Sequence, residues 1–214
     1  MKPKLVVFDV GETLIAETPM WEGWARWLGV SSSTYFAVLG AVIAERRHHH
    51  DALRIVRPGI DVAAERAKRE AAGETTLFTL DHLYPDTLPT LRGLAAEGYE
   101  LAFCGNTPAA VETLLTGLEL APVFIGSSAS FGVEKPDPGF FQRICDLAGR
   151  KPSEIAYVGD RVDNDVLPAI AFGMMGIHIR RGPWGAIQSG WPEAAALPYV
   201  VDNLTELSDL LARA

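Results

Sequence analysis

The stretch Leu5-Val6-Val7-Phe8-Asp9-Val10-Gly11-Glu12-Thr13-Leu14 decides the fold of this chain. Its four apolar residues from Leu5 to Phe8 predict a short strand that is buried on both faces. Asp9 follows this strand directly, and Gly11 favours a turn. Ligands of open parallel sheets bind at the edge where the strands end, so Asp9 is a candidate functional residue. An ordinary strand-to-turn junction has the same composition, so the choice depends on the later segments.

Composition limits the classes of protein to which the chain can belong. Its 214 residues suffice for one sizeable domain, or for a core domain with a smaller insert. Hydrophobic residues at 48% and charged residues at 21% are typical of a globular protein. The formal net charge of −8 opposes a nucleic-acid partner. It does not oppose an anionic substrate, because a local cation governs a site more than the net charge does.

Cysteine usage and hydropathy favour a cytoplasmic protein. Cys104 and Cys145 do not form a CxxC motif, and we expect two reduced thiols. No apolar run approaches the roughly 18 residues that a membrane span requires, and the N-terminus lacks a signal-peptide core. We therefore expect no membrane partner, and either a monomer or a homodimer.

Residues 15–84 carry helical patterns and no convincing buried strand. Three tryptophans, Trp21, Trp24 and Trp27, recur every third residue and so share one helical face. We expect them to form the core of this helical block, rather than a roof over the substrate. Further helices are predicted from about Ser33 to His50 and, with Asp61 as N-cap, from Val62 to Ala72.

From Pro85 onward, strands and helices alternate. The predicted strands are Tyr99–Cys104, Val123–Ile125, Ile155–Val158, Gly176–Ile179 and Tyr199–Val201. The predicted helices cover about 86–96, 108–115, 138–147, 165–172 and 204–212. Repeated strand–helix units with short apolar strands predict a doubly wound parallel sheet. The predicted architecture is an α/β core, residues 1–14 and 85–214, with a small helical domain inserted at 15–84.

Five polar residues should converge at the carboxyl edge of this sheet, because each follows a predicted strand or lies in the loop beyond one. They are Asp9, Asn106, Lys135, Asp160 and Asp165. Carboxylates beside a lysine suit a hard cation such as Mg²⁺ and a phosphoryl group. A carboxylate can also attack phosphorus and form an aspartyl phosphate.

The chain resembles the haloacid dehalogenase-like hydrolase superfamily over nearly its whole length. Four segments carry the resemblance: Phe8-Asp9-Val10-Gly11-Glu12-Thr13-Leu14, Phe103-Cys104-Gly105-Asn106-Thr107, Glu134-Lys135-Pro136-Asp137 and Val158-Gly159-Asp160-Arg161-Val162-Asp163-Asn164-Asp165. Each is short, but all four occur in the expected order and position. The family fold is a Rossmann-like core, and the insert would be a cap that closes over the site and selects the substrate.

The resemblance also implies a role for each site residue. Asp9 would be the nucleophile and a Mg²⁺ ligand, and Lys135 would hold Asp9 and the phosphoryl oxygens. Asp160, Asp165 and the backbone carbonyl of Gly11 would complete the metal site, with Asp165 acting through a water or by holding a metal ligand in place. The phosphoryl group would bind Gly105, Asn106, Thr107 and Lys135. The implied substrate is a small phosphorylated molecule.

Two positions depart from the family pattern. Family phosphatases carry a second Asp, which protonates the leaving oxygen, where this chain has Gly11, and general acid–base help is typically worth about 10²–10⁴-fold. Glu12 is either a substitute for that Asp or a solvated turn residue. Gly105 occupies a position that usually holds Ser or Thr; the backbone N–H groups of Asn106 and Thr107, or the Thr107 hydroxyl, could take over the hydrogen bond to the phosphoryl group.

These departures leave alternatives to a phosphatase. One is a weakly active or inactive binding or regulatory protein on the same scaffold. The other is a 2-haloacid dehalogenase, because dehalogenases of this superfamily also lack the second Asp of the first motif.

Several other polar residues are expected to be structural. We expect Asp163 to be a solvated or helix-capping residue and Arg161 to form a loop ion pair. His48, His49 and His50 would be splayed by about 100° each on a continuous helix, so they should not converge on one metal ion. Arg180-Arg181-Gly182-Pro183-Trp184-Gly185 is expected to be a surface loop anchored by Trp184, with anion binding as the alternative.

Overall fold

The structure is a computed structural model that describes residues 2–74 and 79–214. Contacts between residues divide the chain into two compact units. The first unit comprises Met1–Ala16 and Thr79–Ala214, and the second comprises Glu17–Phe78. Residues 15, 16 and 79–84, which the sequence prediction assigns to the insert, belong to the first unit. Residues 75–78 of the predicted insert lie outside the described residues. The assignment of the two units as core and cap domains stays a prediction.

One sheet of six parallel strands forms the centre of the first unit. The strands are β1 (Leu5–Phe8), β2 (Glu100–Gly105), β3 (Phe124–Ser127), β4 (Ile155–Gly159), β5 (Met175–Ile179) and β6 (Val200–Val201). Their order is β3-β2-β1-β4-β5-β6. Every residue of β1 and β4 is buried, as expected for apolar strands at the centre of a sheet covered on both faces. The predicted α/β fold is confirmed.

The register of the central strands brings the predicted site residues to one edge. Phe8, the last residue of β1, lies beside Phe103 of β2 and Val158 of β4. Because the three strands are parallel, the residues that follow them leave the sheet at the same edge. Asp9 and Asp160 are therefore positioned by neighbouring strands.

The second unit contains four described helices: α1 (Thr18–Leu28), α2 (Ser32–Ala44), α3 (His50–Val56) and α4 (Val62–Ala71). Gly29 directly follows helix α1 and caps its C-terminus, with a left-handed φ of 74° that suits a residue without a side chain. Ser31 caps α2 by accepting a hydrogen bond of 3.1 Å from the Thr34 N–H. Asp61 caps α4 through the Ala64 N–H at 3.0 Å, as predicted.

The tryptophan stripe packs within the second unit. Trp21 stacks on Tyr35 with ring centroids 6.0 Å apart, and both side chains are buried. Trp24 is also buried. Trp27 is half-buried and donates from Nε1 to Oε1 of Glu65 at 2.9 Å. These contacts agree with the prediction that the stripe forms the core of the helical block.

The predicted helix from Ser33 to His50 is wrong at its C-terminal end. Helix α2 ends at Ala44, and α3 begins only at His50. Between them Arg46 adopts a left-handed φ of 59°, which a helix cannot contain. No Gly or Pro lies in this segment, so the usual signals of a helix end are absent from the sequence.

The described part of the first unit contains seven α-helices. They are α5 (Thr87–Ala96), α6 (Ala110–Thr116), α7 (Ser128–Phe131), α8 (Pro138–Ala148), α9 (Leu167–Phe172), α10 (Gly182–Gln188) and α11 (Leu207–Arg213). Helices α7 and α10 lie where the sequence predicts loops. Across both described ranges no single helix has the length and apolarity for a membrane span; only α1 and α2 taken together, bent by 112°, meet those two criteria.

Alternate residues of each strand pack on opposite faces of the sheet. On one face Leu5 and Val7 of β1 belong to a buried cluster with Tyr157 of β4. Phe140 and Phe141 of α8 cover this cluster. Val6 and Phe8, the other two residues of β1, point to the opposite face and are equally inaccessible, so both faces of β1 are covered.

Candidate active site

A tight turn directly after β1 fixes the position of Asp9. The Asp9 N–H donates to the Val158 carbonyl of β4 at 2.9 Å, so this residue keeps the register of the sheet. The N–H groups of Leu14 and Ile15 both donate to the Val10 carbonyl, at 2.9 and 3.0 Å, and close the turn. The Asp9 side chain is buried. A carboxylate is thus held in a defined place by backbone hydrogen bonds on both sides of it.

Lys135 bridges two of the predicted carboxylates. Its Nζ lies 2.6 Å from Oδ1 of Asp9 and 2.5 Å from Oδ1 of Asp165. The Asn106 side chain holds the lysine's backbone on both sides: Nδ2 donates to the Lys135 carbonyl at 2.9 Å, and Oδ1 accepts from the Lys135 N–H at 2.8 Å. Asn106 therefore positions the lysine, a role that the sequence does not predict.

Asp9, Asp160 and Asp165 form one buried carboxylate cluster. One oxygen from each lies within 4.8 Å of the others. Asp165 is further held by the Arg161 N–H, which donates to its Oδ2 at 3.0 Å. The carbonyl of Asp160 lies 3.0 Å from Nε2 of His178 on β5. The carboxylate oxygens of the three aspartates are the ligand type that a hard divalent cation prefers.

Burial and mutual repulsion make the cluster electrostatically unfavourable without a cation. Burial raises the pKa of Asp9 to about 6, although Lys135 opposes this shift. Burial, with Asp165 and Asp9 nearby, raises the pKa of Asp160 well above its ordinary value. Burial disfavours the charge of Lys135, but Asp165 and Asp9 outweigh it and raise the lysine pKa. Because the Lys135 ammonium contacts only two of the three buried carboxylates, a bound divalent cation would stabilise this arrangement.

Thr107 carries a buried hydroxyl at the same edge of the sheet. Its Oγ1 has no hydrogen-bond partner within the described ranges, and its N–H donates to the Gly105 carbonyl at 2.9 Å. A buried unpaired hydroxyl is unfavourable, so a ligand oxygen there would satisfy it. Of the two Thr107 groups considered from sequence, the hydroxyl is therefore the better candidate to bind an anion.

Comparison with known proteins agrees with this geometry. Residues 3–173 match the family described as haloacid dehalogenase-like hydrolase. The chain belongs to this family. Its resemblance to that family, inferred from four short motifs, is confirmed, and it is a hydrolase.

Individual relatives extend over most of the chain. The glyceraldehyde 3-phosphate phosphatase of Methanopyrus kandleri is 31% identical over 199 residues, which cover 85% of both proteins. The (S)-2-haloacid dehalogenase 4A of Burkholderia cepacia is 32% identical over 135 residues, covering 61% of this chain and 55% of that protein. A crystal structure of a HAD phosphatase from Thermococcus onnurineus is 25% identical with a TM-score of 0.61, covering 99% of this chain and 98% of the other.

Glu12 is buried in this hydrolase, so the alternative of a solvated turn residue is wrong. Only 2% of the residue is exposed, and its φ of 50° is left-handed. The Tyr84 hydroxyl donates to Oε2 of Glu12. The carboxylate also packs against Gly182, where a Cβ would lie 2.5 Å from Oε2. The possible role of Glu12 as a substitute for the acid/base residue that Gly11 replaces stays a prediction. Metal binding by the Gly11 carbonyl also stays a prediction.

Gly105 leaves room for the side chain of Asp9. A Cβ at this position would lie 2.6 Å from Oδ1 of Asp9 and 3.5 Å from the Val10 nitrogen. Real Cβ atoms essentially never approach that closely to another heavy atom. The absence of a Ser or Thr hydroxyl here therefore has a steric reason in this chain.

Asp163 lies near the carboxylate cluster in sequence but is paired elsewhere. The Arg161 guanidinium donates to both of its oxygens, at 3.1 and 3.0 Å, as the predicted loop ion pair. Gln188 donates to Oδ1 of Asp163 at 3.0 Å and accepts from the Val162 N–H at 2.6 Å. Gln188 thus orders the loop after β4. No signal in the sequence connects it to the site, because it comes from α10, which the sequence does not predict.

The predicted surface loop at 180–185 is wrong, because Gly182 begins α10. Arg181 is occupied inside the protein: Nη1 donates to the Thr13 carbonyl at 3.0 Å, and Nη2 pairs with Asp86. Its guanidinium also lies 4.0 Å from the centre of the Tyr84 ring. Arg181 thus holds the turn that carries Asp9. These partners support the structural reading of this segment over anion binding.

The expectation that His48, His49 and His50 cannot converge is also wrong. That expectation required a continuous helix, and the chain is not helical at His48 and His49. One ring nitrogen from each histidine lies within 4.8 Å of the others.

Proposed function

We propose that this protein is a Mg²⁺-dependent phosphatase that acts on a small phosphorylated metabolite through an aspartyl phosphate on Asp9. One observation carries the proposal: the buried Asp9 carboxylate lies 2.6 Å from Lys135 within a cluster of three carboxylates. The glyceraldehyde 3-phosphate phosphatase relative supports the phosphate ester as substrate. A cytoplasmic location and a monomer or homodimer stay predictions from the sequence.

The residues present suit Mg²⁺. Asp9, Asp160 and the Gly11 carbonyl would provide oxygen ligands, and Asp165 would act directly or through water, since Lys135 already engages its Oδ1. When bound, Mg²⁺ neutralises charge on phosphoryl oxygens. Lys135 would neutralise a further oxygen, and the unpaired Thr107 hydroxyl would donate a hydrogen bond to another.

In the proposed reaction an oxygen of Asp9 forms a bond to phosphorus while the bond from phosphorus to the ester oxygen breaks. The leaving oxygen takes a proton and departs as the alcohol. Water then attacks phosphorus, the aspartyl bond breaks, and inorganic phosphate leaves with Asp9 restored. Gly11 has no side chain to supply or remove these protons, so they come from solvent or from Glu12.

The test is steady-state turnover of p-nitrophenyl phosphate and of glyceraldehyde 3-phosphate, with and without Mg²⁺. We expect Mg²⁺-dependent release of phosphate by the wild type and only background release by Asp9→Asn. Asp163→Asn is a matched control, since Asp163 is an acidic residue of the same region that pairs with Arg161 instead of the cluster. Equal activity of wild type and Asp9→Asn would contradict the proposal.

Two further variants locate the acid/base. Gly11→Asp should increase turnover if the missing carboxylate limits the rate, by up to about 10²-fold. Glu12→Gln should abolish turnover only if Glu12 supplies the proton. Glu12→Gln keeps a side chain that can accept the Tyr84 hydrogen bond, so a change in folding is less of a concern than with Glu12→Ala.

A dehalogenase is the second candidate, favoured by the Burkholderia cepacia relative and by Gly11. The same Asp9 oxygen would then attack carbon and expel halide from a 2-haloacid. Halide release that is independent of Mg²⁺, with no release of phosphate from either ester, would favour this candidate. The carboxylate cluster favours the phosphatase, because displacement of halide requires no cation.

A further inference from the structure

Three consecutive histidines form a compact cluster in the second unit, outside the carboxylate site. The ring centroids of His48 and His49 are 4.1 Å apart, and each lies 4.5 Å from the ring of His50. The side chains are exposed or half-buried, so the cluster is open to ions from solvent.

The break between α2 and α3 creates this cluster. On a continuous helix consecutive side chains diverge by about 100°, but here only His50 belongs to a helix. The His50 N–H donates to Nδ1 of His48 at 3.1 Å, which folds the first ring back over the third residue. Because Nδ1 accepts this hydrogen bond, His48 would bind a metal ion through Nε2.

We propose that His48, His49 and His50 bind a borderline transition-metal ion, such as Zn²⁺, Ni²⁺ or Cu²⁺. Three imidazoles are a common ligand set for these ions, and water or another small ligand would fill the remaining position. At the metal–nitrogen distance of about 2.0–2.1 Å, tetrahedral ligand nitrogens lie roughly 3.4 Å apart. Small side-chain rotations would therefore bring the nitrogens, now within 4.8 Å, to that spacing.

The protonation and charge of the surroundings affect this site in opposite ways. Burial, then His48, Arg66 and Arg54, lowers the pKa of His50 to about 4, so its ring is neutral and able to ligate at neutral pH. The same arginines repel a cation. Asp51 does not fully compensate, since its carboxylate pairs with Arg54 at 2.8 Å and Arg47 at 3.0 Å. We therefore expect weaker affinity than that of a structural zinc site.

The proposal predicts that this site and the carboxylate cluster prefer different metals. Mg²⁺ binds imidazole poorly and oxygen well, so millimolar Mg²⁺ should not displace Zn²⁺ from the histidines. Zn²⁺ affinity is measured on the chelator-treated, dialysed protein by competition with a chromophoric indicator, in excess Mg²⁺. We expect one Zn²⁺ per chain at this site. Separate His48→Ala, His49→Ala and His50→Ala substitutions should each weaken binding by about tenfold or more.

Two matched variants separate this site from other causes of Zn²⁺ binding. His82→Ala removes one histidine from the first unit, and Asp160→Asn removes one carboxylate from the cluster; both should leave this affinity unchanged. The circular dichroism spectrum of each variant is compared with that of the wild type to test that the fold is retained. A loss of affinity in Asp160→Asn equal to that in His49→Ala, or full affinity in any of the three histidine variants, would overturn the three-histidine site.

Tryptophan fluorescence gives an independent readout. The Trp21 ring lies edge-on to His49 with centroids 5.6 Å apart, so Cu²⁺ at the histidines should quench its emission. Trp21→Phe should remove most of this quenching and leave Zn²⁺ affinity unchanged. Quenching that persists undiminished in Trp21→Phe would place the Cu²⁺ elsewhere and contradict the assignment.

Discussion

Gly105, which has no side chain, leaves space for the Asp9 carboxylate. A Cβ there would lie 2.6 Å from Oδ1 of Asp9, so Gly105→Ala should displace the carboxylate from Lys135. We expect kcat/KM to fall by at least about tenfold, or roughly 1.4 kcal/mol of transition-state stabilisation. Gly105→Ser, despite supplying a hydroxyl, should be no better. Phosphatase assays of both variants test this.

Gly93→Ala is the control for that experiment. Gly93 lies inside α5, and apart from its chain neighbours and the backbone of its own helix no atom of the described residues lies within 4 Å of the position that its Cβ would occupy. Alanine there should stabilise the protein by about 0.4–1 kcal/mol and leave kcat/KM unchanged. If Gly105→Ala also leaves kcat/KM unchanged, Asp9 tolerates the displacement and the steric explanation of Gly105 is wrong.

The sequence predicts which residues meet at the site better than it predicts what their side chains contact. Asp9 and Asp160 directly follow strands, and parallel strands fix where such residues lie. The direction of a side chain depends instead on neighbours distant in sequence. Asn106 contacts the backbone of Lys135, and Glu12 contacts Tyr84, so neither contact follows from the local pattern.

Helices α1 and α4 meet through a buried cation. Arg69 of α4 is fully inaccessible and lies 4.3 Å from the Trp24 ring of α1. None of its three guanidinium nitrogens has a hydrogen-bond partner among residues 2–74 and 79–214, and Glu74 is 3.7 Å away. Burial lowers its pKa, as expected for a charge removed from water.

Arg69→Met should therefore stabilise the protein, by on the order of 1 kcal/mol, because methionine keeps the packing on Trp24 and removes the buried charge. Urea denaturation measures the free energy of unfolding. Arg66→Met, on an exposed position of the same helix, is the control and should have little effect. Marked destabilisation by Arg69→Met would mean that the guanidinium has a stabilising partner.

At the level of elements, the sequence predicts the core strands well and the helix ends of the insert poorly. Buried strands such as Ile155–Gly159 are apolar runs that a polar residue, here Asp160, follows directly. The end of α2 has no such signal, because Arg46 takes up a left-handed conformation that arginine does not favour.

Charge is divided unevenly across the molecule. Residues 17–78 contain 8 Lys and Arg residues and 8 Asp and Glu residues, so their net charge is zero. The whole chain contains 19 basic and 27 acidic residues. The first unit therefore contains 11 basic and 19 acidic residues, a net charge of −8. Part of this excess lies in the buried carboxylate cluster. Binding of a divalent cation should therefore contribute to the stability of the whole protein.

Mg²⁺ should raise the unfolding temperature of the wild type, and EDTA should reverse the increase. At 100 times its Kd, a ligand of the folded state contributes about 2.7 kcal/mol. Without metal, Asp160→Asn should be more stable than the wild type, because a buried, mutually repelling carboxylate is removed. Mg²⁺ should raise the unfolding temperature of this variant only slightly. Equal stabilisation of both proteins by Mg²⁺ would place the ion elsewhere.

The position of β1 in the sheet has a consequence for synthesis on the ribosome. This strand is made first, yet its second neighbour, β4, pairs Ile155 with Leu5, 150 residues later (155 − 5). At about 5–20 residues per second, the wait is on the order of ten seconds. Throughout it, one edge of an apolar strand lacks its final partner, a state prone to aggregation. Asp9 is therefore translated early but positioned late, and a nascent chain that stops before β4 lacks Asp160 and Asp165 of the carboxylate cluster.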